Sequence, residues 1–498
     1  MKAKRIQVFF LSLVLLLTMT ACGVRQEPAE GIPDVTEVNE EQTVEEAEEP
    51  AEEVPEETGE EAIGLTPRSK NIKVSWFIPW WDSPEEYQYI FDDFARKFPD
   101  YVIDNSIQSG DIQQLAASIQ AGTQADVWVG GDPNWAQYVT AVYQGLLTPL
   151  DDFLTHDPEF NFETICSRVL NASRFADGRF YSIPTAVMPH VLIWNKDIFA
   201  RAGIDPDRPP ETWSEFHEYA QKLVQFDSRG MATQLGVFEG PANWIFRALR
   251  APADQHVVSL DGTRSRFNES WVRESDAFTG TFDELYGGAA KLPSGVTFNV
   301  QSGNVGMQIG NLASLNEYSE QGIDFGFGKL PRPDDIDEHV VPTLLWMYVG
   351  IPRGSQNPEG GWKFIRHALS EALIASSEAQ FRVNPSRWIP DYIAHEPTRE
   401  KVYEMFLPFV DADILELVNR RDELMNEINY YYPYSPLQMR SVELHHKWGD
   451  KFTNNEVNVY EMYEGLHNEL QAELDLWLKD MLNRGWKFPE GGKPIAPW

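Results

Sequence analysis

Carboxylate and indole side chains recur at the points where short apolar runs of this sequence end. The run Ala125–Val129 leads through two glycines to Asp132, and the run Ile72–Ile78 ends just before Trp80 and Trp81. Carboxylates and amides hydrogen-bond to vicinal hydroxyls, and indoles or phenols cover an apolar C–H face. This combination of residue types at strand ends therefore predicts a site for a ligand that offers both polar groups and an apolar surface.

Thirteen residues are candidates for that site, and all but two lie near predicted strand ends. The hydrogen-bonding candidates are Asp82, Asp132, Asn134, Glu239 and Asn311. The aromatic candidates are Trp80, Trp81, Trp135, Trp244, Trp346, Tyr348, Trp388 and Tyr434, of which the first six follow or flank strands. Each has an ordinary structural interpretation as well, such as helix capping for Asp132 or core packing for Trp346.

Residues 115–150 form the stretch around which these candidates are arranged. An amphipathic run stops at Gly122, the run Ala125–Val129 is too short for a helix, and a further helix is predicted from Pro133 to a stop at Gly145. Together with an earlier strand, helix and strand, this order predicts βαβαβα and a doubly wound parallel sheet. Ligands bind outside the carboxyl ends of such strands, where two glycines would let a ligand approach the backbone.

A second α/β unit is predicted further along the chain. Its strands are expected at 191–196 and 235–238, and further strand-like pieces follow at 305–309, 325–331 and 345–352. Capping boxes at 83–86 and 212–215 and an Asn357 cap predict three helix starts. From residue 399 onward the pattern is mostly helical. At 498 residues the chain exceeds what one hydrophobic core usually supports, which also favours two units.

The charge of the chain is strongly negative, at −36. Residues 23–64 hold sixteen acidic residues, one arginine and four prolines, which predicts an extended acidic tether. Residues 23–64 contribute −15 and the residues before them contribute +3. Residues 65–498 therefore carry the remaining −24. Nucleic acid and anionic membrane surfaces need a basic face, so neither is expected as a partner.

The first 21 residues resemble a bacterial lipoprotein signal. Lys2, Lys4 and Arg5 precede the apolar run Val8–Leu17, which is shorter than the roughly 20 residues that a membrane span needs, and small residues then lead to Cys22. The resemblance implies cleavage before Cys22 and acylation of its thiol. An ordinary secretory signal with an incidental cysteine is the alternative.

Metal and cofactor chemistry is not expected. Cys166 is the one cysteine besides Cys22, so no intramolecular disulfide is possible once Cys22 is acylated, and the apolar neighbours of Cys166 favour a buried filler. His445 and His446 are adjacent and would not share a helix face, which argues against a metal site.

Five segments in a fixed order resemble the carbohydrate-type family 1 of extracellular solute-binding proteins of ABC importers, the maltose-binding-protein-like family. They lie at residues 119–154, 177–204, 211–223, 303–310 and 350–370, and the resemblance spans roughly residues 70 to 375. In the tail, from about residue 376, the chain diverges from the pattern of this family and keeps only helical character and a proline after Trp388.

The resemblance implies a periplasmic-binding-protein-like type II fold: two doubly wound α/β lobes, a hinge and a ligand cleft between them. The expected division is a signal at 1–21, a tether at 22–64, one lobe from 65–187 and 310–372, and another from 188–309 and 373–498. It also implies a monomer on the outer face of the cell membrane, anchored through Cys22, that passes a carbohydrate to the transmembrane subunits of an ABC permease.

Two other classes of function stay open at this point. A secreted glycoside hydrolase or lyase could use two of the carboxylates as acid and base, although no sequence pattern sets their separation. The same binding fold could instead take a polyamine or a peptide, and acidic side chains among aromatics would suit a polyamine.

Overall fold

The computed structural model describes most of the chain beyond residue 66. The described ranges are 67–76, 84–107, 112–130, 135–184, 186–238, 247, 249, 257–259, 262–288, 291–312, 314–337, 340–346, 348–427, 429–431, 437–489 and 493–497. Cys22, the signal and the tether therefore lie outside the described residues. Within these ranges, no helix combines the length and apolar character that a membrane crossing requires.

The strands are short and distributed along the whole chain. They are β1 (Asn71–Trp76), β2 (Val102–Ile107), β3 (Val127–Gly130), β4 (Leu147–Thr148), β5 (Ala186–Asn195), β6 (Gln225–Phe226), β7 (Ala232–Phe238), β8 (Val305–Asn311), β9 (Phe325–Gly328), β10 (Val340–Trp346), β11 (Tyr348–Pro352) and β12 (Asn429–Tyr431).

Helices separate most of these strands and make up nearly all of the tail. They are α1 (Pro84–Lys97), α2 (Ile112–Gln120), α3 (Trp135–Tyr143), α4 (Asp151–His156), α5 (Ser167–Ser173), α6 (Lys196–Arg201), α7 (Trp213–Leu223), α8 (Ser270–Tyr286), α9 (Ser314–Glu320), α10 (Pro358–Leu369), α11 (Glu371–Phe381), α12 (Glu396–Phe406), α13 (Ala412–Glu427), α14 (Gln438–Thr453) and α15 (Val459–Asn483).

The first sheet has five strands in the order β2-β1-β3-β11-β4. Strand β1 pairs in parallel with β2 and β3, whereas β11 runs antiparallel to β3 and β4. All four residues of β3 are buried, because helices cover both faces of a sheet built by βα crossovers. The βαβαβα start predicted from the sequence is confirmed.

The second sheet is mixed rather than parallel, in the order β12-β10-β5-β8-β7-β6, with β9 paired to β5 outside that path. Strand β5 is antiparallel to β8, β9 and β10, while β7 and β8 are parallel. The expected single strand at 345–352 is two strands, β10 and β11, which belong to different sheets. We call the part built on the first sheet the first lobe and the part built on the second sheet the second lobe.

The chain crosses between the two sheets in two antiparallel segments. One leads from the first lobe into β5, and the other leads from β10 into β11, with Ala186 opposite Trp346. On the side of the first lobe, the Val349 N–H donates to Ser182 Oγ at 2.9 Å. Strands β8, β9 and β10 all pair within the second sheet, and the chain returns to the first sheet at Tyr348, the first residue of β11.

The tail contacts both lobes. Helix α11 packs against α1 of the first lobe. The amino-terminal half of α15 packs with α14 and α8 in a small separate core that includes Leu466 and Leu470. Near its other end, Trp477 lies 4.9 Å from the Tyr143 ring of α3, and the Trp486 Nε1–H donates to the Tyr143 carbonyl oxygen at 2.9 Å.

Candidate functional site

Strand register brings three chain segments together at one edge of the first sheet. Trp76 at the end of β1 lies beside Val129, and Gly130 at the end of β3 lies opposite Tyr348 at the start of β11. The chain leaves or enters the sheet at this edge in all three cases. The candidates Trp80, Trp81, Asp82, Asp132, Asn134 and Trp135 follow these strand ends within a few residues in sequence.

The second sheet has an equivalent edge. Phe238 at the end of β7 pairs with Gln308, three residues before β8 ends at Asn311. Asn311 in turn lies opposite His190 of β5. Because β5 enters from the first lobe and β10 leaves toward it, both crossing segments meet the second sheet on this side. The candidates Glu239 and Trp244 follow β7 in sequence.

The structure describes only part of the candidate set. Eight candidates lie outside the described residues: Trp80, Trp81, Asp82, Asp132, Asn134, Glu239, Trp244 and Tyr434. For three more the structure describes the backbone alone: Trp135 begins α3, Trp346 ends β10 and Tyr348 begins β11. Asn311 and Trp388 are the two whose side chains are described.

Asn311 occupies a suitable place for a ligand contact. It is half-buried at the last position of β8, and its neighbour across the strands, His190, is half-buried too. His190 was not among the sequence candidates. The signal for it was available, because His190 is the one polar residue in the otherwise apolar run Ala186–Trp194.

Trp388 does not have a ligand-facing side chain in this structure. It is 1% exposed and lies in a core cluster with Val402 and Phe406. The Trp388 ring meets Phe381 and Phe406 edge-on, each at 5.7 Å between centroids. A side chain enclosed in this way has no free face for a sugar, so we leave Trp388 out of the proposed site. The aromatic-then-proline pattern that suggested it reflects core packing.

Gly130 has a packing role that the sequence alone did not indicate. Strand residues two apart point to the same face, and the indole of Trp128 folds over Gly130. A Cβ on Gly130 would overlap that ring, and Trp128 is only 1% exposed. Gly130 therefore accommodates Trp128 at the strand end, whether or not a ligand also approaches the backbone there.

Free Cys166 is buried, as the sequence predicted. In the part of the chain that the structure describes, no group of three or more His, Cys, Asp or Glu side chains is arranged to hold a metal ion.

Comparison with known proteins agrees with this architecture. The family model described as bacterial extracellular solute-binding protein matches residues 80–373. The sn-glycerol-3-phosphate-binding periplasmic protein UgpB of Salmonella typhimurium is 25% identical over 373 residues, which cover 69% of this chain and 81% of that protein.

Two solved structures illustrate the shared fold. CpMnBP1 with mannotriose bound has a TM-score of 0.58 at 20% identity, covering 80% of this chain and 99% of that one. UgpB from Mycobacterium tuberculosis in complex with glycerophosphocholine has a TM-score of 0.58 at 18% identity, covering 82% of this chain and all of that one. The fold is thus the two-lobed type II fold of periplasmic binding proteins, and the chain belongs to the bacterial extracellular solute-binding protein family.

Proposed function

We propose that this protein is a cell-surface, lipid-anchored substrate-binding protein of an ABC importer. It captures a sugar or oligosaccharide between its two lobes and delivers it to the transmembrane subunits of a permease. The observation that carries the proposal is the register of the strands. Independent pairings bring the ends of β1, β3, β7 and β8 to the two sheet edges from which the chain crosses between lobes.

The ligand class is argued from the residue types that follow those strand ends. Four tryptophans, three carboxylates and two amides lie there or just beyond in sequence: Trp80, Trp81, Trp135, Trp244, Asp82, Asp132, Glu239, Asn134 and Asn311. Indoles cover apolar sugar faces, and carboxylates accept hydrogen bonds from hydroxyls. We add His190 because of its position opposite Asn311.

Anchoring and delivery are argued from the amino-terminal segment. The Cys22 motif, followed by an acidic tether, would hold a folded body outside the membrane while leaving it free to reach a permease. A mass spectrum of the protein expressed in a bacterium that acylates lipoproteins tests directly whether Cys22 carries a lipid. We expect a diacylglycerol adduct on an amino-terminal Cys22, absent in Cys22→Ser, and a non-acylated mature protein would contradict the anchor.

Glycerol phosphate is the second candidate ligand, because two relatives bind sn-glycerol 3-phosphate or glycerophosphocholine. An anionic ligand needs a local cation, and the net charge of residues 65–498 is −24. We therefore rank a neutral sugar first. A polyamine or peptide is the remaining alternative within the same fold, and the acidic candidates would suit a polyamine.

The first test is a thermal-shift and tryptophan-fluorescence screen of the purified protein. The probes are maltotriose, mannotriose, sn-glycerol 3-phosphate, spermidine and a short peptide mixture. A ligand present at 100 times its Kd stabilises the folded state by about 2.7 kcal/mol, which raises Tm measurably. We expect a shift with one sugar. A shift with glycerol phosphate, spermidine or peptide alone would contradict the sugar assignment.

A matched pair of variants locates the site. Trp135→Ala should abolish the ligand-induced shift, because Trp135 begins the helix that follows β3. Trp448→Ala is the control, since Trp448 is half-buried on α14 with its indole N–H donating to Glu469 at 3.0 Å. Equal loss of the shift in both variants would contradict the site. Turnover of a chromogenic glycoside that is lost in Glu239→Gln would instead favour a hydrolase.

A further inference from the structure

One carboxylate is exposed within an otherwise buried run of the tail. Every residue of 388–394 is buried except Asp391, which is exposed. A run that is buried on both sides of one exposed residue passes an opening in the protein surface. The Asp391 side chain therefore faces such an opening.

The run that contains Asp391 connects the two lobes. On the side of the second lobe, the Ile389 N–H donates to Asn316 Oδ1 of α9 at 3.1 Å. On the side of the first lobe, the Ala394 carbonyl oxygen accepts from the Cys166 N–H just before α5, at 3.0 Å. Consecutive Cα atoms are 3.8 Å apart, so the Asp391 Cα lies within about 8 Å of Ile389 and about 12 Å of Ala394. The opening at Asp391 therefore lies between the lobes.

The neighbouring helices place this opening on the side of the sheet edges described above. Helix α9 begins three residues after Asn311, which ends β8, and Asn316 is in its first turn. Tyr89 lies in the first half of α1, the helix that follows β1. Burial, and to a smaller extent the charge of Asp391, raise the pKa of Tyr89 to about 12 against a hydrogen bond from Ser376. Tyr89 and Asp391 are thus close together.

Four polar side chains meet at the opening: Tyr89 of α1, Ser376 and Gln380 of α11, and Asp391. We call this set the Asp391 recess. Ser376 and Gln380 are four residues apart and share a helix face, and both are half-buried, as is Tyr89. Gln380 Oε1 accepts from the Trp388 indole N–H at 3.4 Å, which leaves the Gln380 amide N–H groups to donate to Asp391.

The Asp391 recess is concave. Desolvation raises the pKa of Asp391, although the charge of Arg421 and the hydrogen bond from Gln380 both act to lower it. A carboxylate on a convex surface is well hydrated and has no such desolvation. Asp391 is therefore reached by solvent and at the same time surrounded by protein, as a group in a ligand site is.

The chemistry of the recess suits a hydroxyl group. The Asp391 carboxylate only accepts hydrogen bonds, whereas the Gln380 amide and the Tyr89 hydroxyl can donate. A sugar hydroxyl donates and accepts, so it can use both kinds of group. A phosphate only accepts and would be repelled by Asp391. An ammonium only donates, and the buried charge of Arg421 close to Asp391 opposes it.

We propose that Asp391 is a ligand-contact residue between the lobes, where its carboxylate accepts hydrogen bonds from sugar hydroxyls beside Tyr89 and Gln380. The inference rests on the proposed function, because it takes the ligand to be a neutral sugar bound between the lobes. It adds to the site a part of the tail in which the sequence indicated only Trp388, and the buried Trp388 indole orients Gln380 from behind.

The experiment compares Asp391→Asn with a matched control, Asp422→Asn. Both carboxylates lie near Arg421, and Asp422 Oδ1 accepts from Arg421 Nε at 3.0 Å and from Nη2 at 2.9 Å. The control therefore removes a charged partner of the same arginine and leaves the Asp391 recess intact. Tyr89→Phe is a second variant, which removes one hydroxyl from the recess and keeps both carboxylates.

The measurement is calorimetric titration of each full-length variant with maltotriose and with mannotriose, with Tm recorded beside it. For the sugar that binds the wild-type protein, we expect Asp391→Asn to weaken Kd about tenfold or more and Tyr89→Phe about threefold. Asp422→Asn should lower Tm and leave Kd within about twofold of wild type.

The outcomes separate this inference from the proposed function. Equal weakening of Kd in Asp391→Asn and Asp422→Asn would show that Asp391 acts through Arg421 and would overturn the contact. A wild-type Kd in Asp391→Asn overturns the contact as well, while the proposed function stands. If Asp391→Asn does not fold, an unchanged Kd in Tyr89→Phe contradicts the recess. If neither sugar binds the wild-type protein, the proposed function fails, and the sugar contact of Asp391 fails with it.

Discussion

Gly130 ends β3 under the indole of Trp128, and this contact makes the glycine necessary for packing. We expect Gly130→Ala to lower the free energy of unfolding by about 1–3 kcal/mol, because the added methyl group must displace a buried ring. Urea denaturation followed by circular dichroism measures the change. Since Gly130 adjoins the candidate ligand segment 131–134, we also expect weaker ligand binding in this variant.

The control for that substitution is a glycine with room around it. Gly280 lies within α8, and a Cβ there would meet no atom within 4 Å. Gly280→Ala should raise the free energy of unfolding by about 0.5–1 kcal/mol through its better helix propensity. Equal effects of both substitutions would show that the Trp128 contact does not decide the outcome.

His367 predicts how stability depends on pH. It lies on α10 and is buried, with its Nε2 3.1 Å from Oδ2 of Asp93 on α1. Burial lowers the pKa of His367 to about 4. The unfolded chain takes up a proton near pH 6.5, whereas the folded protein does so only near pH 4. Below pH 6.5 the unfolded state therefore binds more protons, and stability should fall as the pH drops from 6.5 to 4.

Melting temperatures between pH 4 and pH 7 test this expectation. We expect His367→Gln to reduce the slope of Tm against pH over that range. Burial lowers the pKa of His395, His445 and His467 as well, so a reduced slope should remain in His367→Gln. A wild-type slope in that variant would contradict the role of His367.

Among the elements, the start of α10 lies where the sequence predicted it, but the Asn357 side chain does not make the predicted cap. Its amide nitrogen donates instead to the carbonyl oxygens of Ser69 and Asn71, before and at the start of β1. The Asn357 backbone N–H donates to Asp126 Oδ1 at 3.1 Å.

Asp126 thus joins α10 to the first sheet, because its other oxygen accepts from the Lys73 N–H of β1 at 2.9 Å. Asp126→Ala should lower the free energy of unfolding by about 2–3 kcal/mol by leaving these donors unpaired. Asp104→Ala is the control, since Asp104 accepts from the backbone and hydroxyl of Ser106 at the surface of β2. Denaturation of both variants checks the difference, and a loss at Asp126 no larger than at Asp104 would contradict it.

Of the two predicted capping boxes, the one at 83–86 begins outside the described residues, and the one at 212–215 lies at the start of α7. Thr212 caps α7 and accepts from the Glu215 N–H at 3.3 Å. Glu215 reaches back to the Glu211 N–H rather than to that of Thr212. Capping depends on residues within one turn, so a sequence pattern finds it, whereas the partner of Asn357 is nearly 290 residues away.

For the whole molecule, the tail is part of the folded body and contacts both lobes. Trp486 is 1% exposed, packs 5.0 Å from the Tyr143 ring and donates to the Tyr143 carbonyl. We expect Trp486→Ala to lower the free energy of unfolding by about 3–5 kcal/mol through the cavity it leaves. Leu482→Ala, at a position 51% exposed, should change it by less than about 0.5 kcal/mol.

Guanidinium denaturation together with limited proteolysis near residue 484 tests the Trp486 prediction. Docking of the tail predicts that Trp486→Ala increases cleavage there, while Leu482→Ala does not. If Trp486→Ala and Leu482→Ala unfold at the same denaturant concentration and are cleaved equally, docking of the tail does not stabilise the first lobe.

The sequence by itself determined what depends on neighbouring residues. Short apolar runs, glycine stops and caps indicated the parallel start of the first sheet, most strand positions and the buried state of Cys166, and ordered segments indicated the family. It also indicated that carboxylates and tryptophans follow strand ends, because strand ends are marked locally by glycine, proline and polar residues.

Only the tertiary structure decided which distant segments meet. It divided residues 340–352 between two sheets, buried Trp388, brought His190 opposite Asn311 and joined Arg247 to His445, 198 residues away. The physical reason is that strand pairing and buried ion pairs depend on packing between elements, for which a single sequence holds no local periodicity.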